Sequence, residues 1–434
     1  MTSTNPQTPS LIPPNDLKIV IIGGGVCGIA CAVALKKFGM DVHLYEGAAK
    51  FGEVGASIGV GCNTANVLKE IGVLDTLLVK ANVPPQGRHT TLKFYSGEGD
   101  HEAIYDQPTG PGEGNFGVTR TAFLDSLVDH LDPQLAHLNK RFTTITQSDS
   151  GRQLAHFADG TTVEADVVLL ANGIRGTGRD IVTGVDPKKN VAFANAWYYR
   201  ALVPSGPAKA AGLKTDVLKR ACIFMGTNKH VVFVPVAGGT IINISAAVID
   251  HSIDVGAVKL ADDEPRVVQA MKEEILKDFE GWGSDARVIM SSVETMNKWL
   301  IEVLYPPLET YVKGSVALLG DAAHAMAPHL GAGAGQGIED AYLLAQLLSA
   351  PRTTRNNVEA VLKAYDAVRR PRAQAVWEAT QHAGRIYEGH GDSGSSAEGC
   401  RHDLEGLWDF IWHHGVDQDR DTALKLLIEQ GVFQ

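Results

Sequence analysis

Residues 18–46 restrict what this chain can become more than any other stretch. Residues 18–22 form a continuous apolar run rich in β-branched side chains, 23–28 are glycine-rich, 29–38 read as an apolar helix, and 41–45 supply a second strand that ends in Glu46. Strand, glycine turn, helix and strand in that order open a dinucleotide-binding βαβ unit. Gly23, Gly25 and Gly28 allow the backbone to approach a pyrophosphate and set it against the unpaired N–H groups of the helix start, while Glu46 is placed to accept from ribose hydroxyls. The same glycines also fit a tight strand–helix turn, and their spacing does not separate NAD from FAD.

The remaining bulk properties remove whole classes of function. A chain of 434 residues, 44% hydrophobic and 21% charged, can bury a large core spread over two or three domains. Its 39 basic and 50 acidic side chains give a net charge of -11 with no segregated basic patch, so neither nucleic acid nor a membrane surface is expected as a partner. Five cysteines without a CxxC pair suggest neither a disulfide framework nor a zinc site, and fit a reducing, cytoplasmic setting. Residues 1–16 lack the basic start and apolar core of a signal peptide and read as a disordered tail, and no apolar run reaches the roughly 18 residues a membrane span needs.

Further along, residues 81–117 are rich in Gly and Pro and carry strand-like 90–95, an excursion from the nucleotide unit before a helix over 121–131. Residues 165–173 read as a buried parallel strand entering a turn and rejoining the first sheet. Alternating strands over 197–203, 230–236 and 240–248, with a helix predicted over 264–279, indicate a second, antiparallel sheet. A buried strand at 315–319 and helices over 336–348 and 357–387 follow. The expected fold is α/β: a discontinuous Rossmann-like domain from 17–85, 116–190 and 289–385, a second antiparallel-sheet domain from 86–115 and 191–288, and a helical C-terminal region over 386–434.

Specificity comes from residues 315–341, SVALLGDAAHAMAPHLGAGAGQGIEDA. This stretch resembles the second flavin motif of the group A FAD-dependent aromatic monooxygenases, the family of 4-hydroxybenzoate hydroxylase and salicylate hydroxylase. The resemblance implies FAD, with Gly320 and Asp321 at the ribityl chain and Pro328, Gly331, Gly333, Ala334 and Gly335 beside the isoalloxazine ring. Independently of it, Gly331, Gly333, Gly335 and Gly337 bare N–H groups where a helix begins, and such a positive end stabilises an anion by several tenths to about 2 kcal/mol.

Residues 166–179, DVVLLANGIRGTGR, are similar to the family's Asp-Gly motif, which serves FAD and the nicotinamide cosubstrate. Asn172 stands where Asp is usual and Gly176 where Ser is common, so a hydrogen bond is altered. Arg120 matches an arginine at a helix start that contacts FAD in the family, and also reads as an ordinary surface arginine. Residues 51–63 resemble a salicylate hydroxylase loop that lines flavin and substrate, with Ala56 among the expected cofactor contacts. Together with 197–200 (WYYR), 230–235 (HVVFVP) and 281–283 (GWG), the likeness covers nearly the whole chain.

What the resemblance implies is a 4-hydroxybenzoate hydroxylase-like fold in which NADH or NADPH reduces FAD, O2 adds at flavin C4a, and the hydroperoxide hydroxylates a phenolic aromatic acid. Salicylate would yield catechol and carbon dioxide, while relatives use other hydroxybenzoates, hydroxynicotinates or polyketide phenols. An anionic substrate in a chain of net charge -11 needs local cations, and Arg200 and His230, on facing strands, are the candidates. His329, beside the flavin loop, reads as base or relay, His324 as structural, and Tyr199 as a phenolic hydrogen-bond donor or as core. A flavin reductase or dehydrogenase without oxygen insertion, or a nucleotide-binding regulatory protein, would share the same cofactor motifs. A monomer or homodimer is expected.

Overall fold

The computed structural model describes residues 15–52, 57–87, 90–108, 110 and 112–434; Ala56 lies outside the described residues. β1 (Lys18–Ile22), α1 (Val26–Lys37) and β2 (Asp41–Tyr45) form the expected opening unit. β1 pairs in parallel with β2 on one side and with Val167–Leu170 on the other, and Val167–Leu170 pairs in parallel with Val316–Leu318. Ala136–His137 and Val312–Lys313 complete a six-stranded sheet. Its central strands are almost wholly buried, as continuous apolar runs in a parallel sheet require.

Two distant glycine clusters meet because α1 packs tightly on the helix Gly333–Leu348. A Cβ at Gly337 would lie 2.3 Å from the Cys27 sulfur of α1, and one at Gly320 would lie 2.8 Å from it. The thiol fills the space those side chains would need, so the two segments can close on one another.

The second sheet has eight strands. Thr295–Leu304 lies between the edge strand Val267–Met271 and Val191–Pro204, and Ile241–Ile249, Lys229–Val236, Cys222–Gly226, Lys93–Ser96 and Ala103–Asp106 follow in order. Two expectations need correction here. Thr295–Leu304 pairs along Val191–Pro204 and so belongs to this sheet, not to the nucleotide domain on the far side of a boundary at 288. The helix predicted over 264–279 forms only at Lys272–Asp278, because Val267–Met271 pairs antiparallel with the strand beginning at Thr295. β-branched Val267 and Val268, with a cross-strand partner in reach, prefer the strand.

The long helix Val358–Tyr387 and the helices Ala397–Leu404, Asp409–Trp412 and Val416–Glu429 follow. Trp408, Ile411 and Trp412 join Phe94, Leu330 and Tyr387 in one apolar cluster, which seats this part of the C-terminal region against the eight-stranded sheet and the long helix. Among the described residues no helix is long and apolar enough to cross a membrane.

Candidate active site

Two adjoining cavities lie where the sheets meet. The first, about 540 Å³, is bounded by Gly23, Gly25, Glu46, Asn172 and Asp321. The second, about 300 Å³, is bounded by Tyr198, Arg200, His230, His329, Pro328 and Trp412. Ile58, Arg120, Asp321 and Ala334 border both, so a long ligand can pass from one to the other.

In the first cavity the Glu46 carboxylate accepts from the Gly24 N–H at 2.6 Å and the Ala48 N–H at 2.7 Å, closing the strand end around the glycine turn. Gly28 sits behind this turn, where a Cβ would come within 1.9 Å of the Gly23 carbonyl. Asn172 and Gly176 prove to be one change. The Asn172 amide donates to the Thr177 carbonyl at 2.7 Å, and a Cβ at 176 would lie 2.1 Å from the Asn172 side-chain oxygen. An aspartate could not donate that bond, and any larger residue at 176 would displace the amide. Arg179, 1% exposed, donates to the carbonyls of Gly173, Ile174, Pro187 and Ala322, tying this turn to the residue after Asp321.

At the junction, Pro328, Gly331, Gly333 and Ala334 line the second cavity at the start of the helix Gly333–Leu348. Gly335 and Gly337 instead serve packing: a Cβ at 335 would meet the Thr64 hydroxyl at 2.4 Å, and 337 meets Cys27. The Gly320 N–H donates to Asp340 at 3.0 Å, and Asp340 also holds His324 at 2.6 Å and Arg369 at 2.9 Å, so His324 is part of the scaffold. Arg369, with no exposed surface, further binds Glu339 and Asp419. One buried guanidinium therefore fastens the C-terminal helix to the helix that borders the cavities. Burial opposes ionisation of Glu339, yet Arg369 and Arg372 hold it down at about 2; burial likewise opposes Asp340, which His324 and Arg369 hold at about 2.

The wall of the second cavity follows from strand alternation. Tyr198 and Arg200 point into it, whereas Tyr199, between them, points to the other face and donates to Asp278 at 2.6 Å and Glu274 at 3.0 Å. The expectation of Tyr199 as a substrate contact is thus corrected: neighbouring residues on a strand cannot both face one cavity. The strands carrying Arg200 and His230 do not face each other directly but flank Ile241–Ile249, where Tyr198, Ala247 and His230 form one row and Arg200, Ser245 and Val232 the next.

Arg200 is half-buried and pairs with no carboxylate among the described residues; its guanidinium lies 5.5 Å from the Tyr198 ring and 5.7 Å from that of Trp299. Burial lowers its pKa, so its charge is costly as it stands. His230, with no exposed surface, bonds Glu388 through Nδ1 at 2.9 Å, and its Nε2 has no hydrogen-bond partner among the described residues. His329 Nδ1 meets the Tyr198 hydroxyl at 3.1 Å, and burial brings its pKa down to about 4, so it is a neutral imidazole. Tyr198, Glu388 and the Trp408–Trp412 wall escaped the sequence reading; pairing Arg200 with its i−2 neighbour would have found Tyr198.

Comparison with known proteins bears on this geometry. The family model described as "FAD binding domain" matches residues 16–184 and 251–380. Salicylate hydroxylase of Pseudomonas putida is 35% identical over 411 residues, 93% of each chain. The FAD-dependent monooxygenase pigN of Monascus ruber is 33% identical over 92% of this chain and 94% of its own. A solved salicylate hydroxylase substrate complex superposes with a TM-score of 0.84 at 30% identity, covering 94% of this chain and 98% of that one.

Proposed function

Because the chain belongs to the FAD-binding-domain family, and within it to the salicylate hydroxylase-like flavoprotein monooxygenases, it is a FAD-dependent aromatic monooxygenase, and we propose that it hydroxylates phenolic aromatic acids, salicylate first among them, using NADH or NADPH and O2. One wall of the second cavity carries this reading: a half-buried Arg200 without a carboxylate partner and a His230 Nε2 without a hydrogen-bond partner, both among the described residues, lie on the same face of one sheet. A hydroxybenzoate supplies what each lacks, a carboxylate for the guanidinium and a phenol proton for the imidazole.

The first cavity fits a dinucleotide. Gly23, Gly25 and Glu46 would hold the diphosphate and ribose of FAD, Asp321 its ribityl hydroxyls, and Pro328, Gly331, Gly333 and Ala334 the edge of its ring, with Arg120 at the passage between the cavities. The positive start of the helix Gly333–Leu348 favours negative charge on that edge by up to about 2 kcal/mol. Bound FAD supplies the electrons taken from NAD(P)H and the activation of O2.

The protein's own part is to prepare the ring. Arg200 fixes the carboxylate, and His230, oriented by Glu388, withdraws the phenol proton and so raises the electron density of the ring. Leu330, Met326, Trp408, Ile411 and Trp412 form an apolar surround that keeps water from the reacting atoms. With salicylate, the new hydroxyl enters the carbon that bears the carboxyl group, whose bond breaks to release carbon dioxide and leave catechol.

The test is direct: FAD-loaded protein with salicylate and NADH or NADPH should consume O2 in step with catechol formed. Cosubstrate oxidation that yields only hydrogen peroxide, across salicylate and other hydroxybenzoates, would make the protein an oxidase or reductase instead.

A further inference from the structure

Glu388 has two imidazoles to serve. Buried just past the helix Val358–Tyr387, it meets His230 Nδ1 with one carboxylate oxygen at 2.9 Å and His251 Nε2 with the other at 2.6 Å. The His230 side chain is 1% exposed and borders the second cavity. The His251 side chain is 20% exposed, and its ring lies 4.6 Å from that of partly exposed His390. One carboxylate therefore joins an imidazole in the dry site to one in contact with water.

The surrounding groups leave the charge to these three residues. Burial opposes ionisation of Glu388, but its hydrogen bonds to His230 and His251 hold it down at about 2, so it is a carboxylate throughout the neutral range. His329, 3.9 Å away, is kept neutral by burial. Tyr198 and Tyr387 are pushed well up, by burial first and then by Glu388, and keep their protons. Arg200 is a fixed cation, and burial followed by His251 and Arg385 pushes His390 down. One carboxylate compensates one imidazolium; a second would stand as an unpaired charge in a buried cluster near Arg200.

We propose that Glu388 makes His230 and His251 a proton-exchange pair: as His230 Nε2 takes the phenol proton of a bound substrate, His251 gives a proton up to water, and the net charge of the cluster stays constant. The phenol O–H bond breaks and an N–H bond forms on His230; an N–H bond on His251 breaks and its proton passes to water or buffer, and no electron changes hands. Product release runs the exchange backwards. Glu388 and His251 act through His230 and are positioning residues. The inference rests on His230 being the base in the proposed hydroxylation.

The experiment uses the full FAD-loaded chain without NAD(P)H, so that no turnover occurs, and 5-nitrosalicylate, whose hydroxyl is more acidic than that of salicylate and whose phenolate is coloured. Difference spectra count the phenolate formed, and calorimetric binding enthalpies in buffers of different ionisation enthalpy count the protons released. The wild-type protein should release about one proton per phenolate. His251→Gln, which keeps a hydrogen-bond donor for Glu388, should form the phenolate with release near zero, and Glu388→Gln should form it only at higher pH. Equal release from His251→Gln and wild type, or phenolate formed by Glu388→Gln as readily as by wild type, would overturn the coupling alone. Absence of the phenolate in the wild-type protein would instead remove His230 as the base, and the coupling with it.

Discussion

Replacing Arg200 with methionine should move substrate binding and protein stability in opposite directions. The guanidinium is half-buried, has no carboxylate partner among the described residues, and leans on two aromatic rings at 5.5 and 5.7 Å. A substrate carboxylate that loses its charged partner in such a site forfeits about 3 kcal/mol, which weakens binding about 100-fold. Without substrate the balance reverses. Removing a half-buried charge with no carboxylate partner among the described residues relieves about 3 kcal/mol of desolvation, whereas each of the two cation–π interactions given up is worth about 0.5–1 kcal/mol. The substrate-free variant should therefore be the more stable one, with a thermal midpoint raised by about 2–4 °C. Titration of the flavin spectrum with salicylate gives the first quantity, and a melting curve of the FAD-loaded protein gives the second. Unchanged salicylate affinity, or a variant that melts below wild type, would refute the placement of Arg200 as a carboxylate anchor held at a cost in stability.

Four other outcomes follow from the geometry. Asp321→Ala should purify largely colourless, since Asp321 borders both cavities and would hold the ribityl hydroxyls; normal flavin content would defeat that assignment. Arg369→Met takes the shared cation from Glu339, Asp340 and Asp419, leaving each with its remaining partner, and should cost about 3 kcal/mol at pH 7. Glu339 and Asp340 are held near 2 in the folded protein against ordinary values of 4.5 and 3.8, so their contribution is complete above about pH 5 and fades as pH falls towards 2. The gap in urea midpoint between wild type and variant should narrow over that range, and a constant gap would contradict it. Tyr199→Phe should leave KM for salicylate and flavin content unchanged, because its hydroxyl serves Asp278 and Glu274; a tenfold rise in KM would return it to the site. Trp412→Ala should divert more NADH to hydrogen peroxide by admitting water, and unchanged coupling would show that the C-terminal wall does not seal the cavity.

Much of the frame was legible because it is local. The opening βαβ unit follows from a periodicity change within one short stretch, and residues 315–341 carry their own strand, turn and helix start. Legibility failed where a tertiary partner decides. Val267–Met271 becomes a strand because an edge was waiting for it, and Gly337, which sequence offers as a bare backbone donor, proves to be room for Cys27. Even the departure at Asn172 cannot be judged alone, since its amide needs the missing side chain at Gly176 to reach the Thr177 carbonyl.

Glu388 marks the deeper limit. It ends a long helix in a run, RIYEGH, that sequence reads as an ordinary polar helix end, where the default glutamate is solvated. Only the arrival of His230 from one strand and His251 from the turn after another, against that helix end, makes it a buried carboxylate with two imidazole partners. The same packing explains why the tail resisted reading: Trp408 and Trp412 have no periodic partner of their own, and their place is set by a cavity assembled from segments distant in the chain. A motif can declare a cofactor, but the groups that choose and prepare the substrate come together only when distant elements dock. Variation at Arg200, His230, Glu388 and the C-terminal wall should accordingly change which phenol is accepted while leaving flavin binding intact.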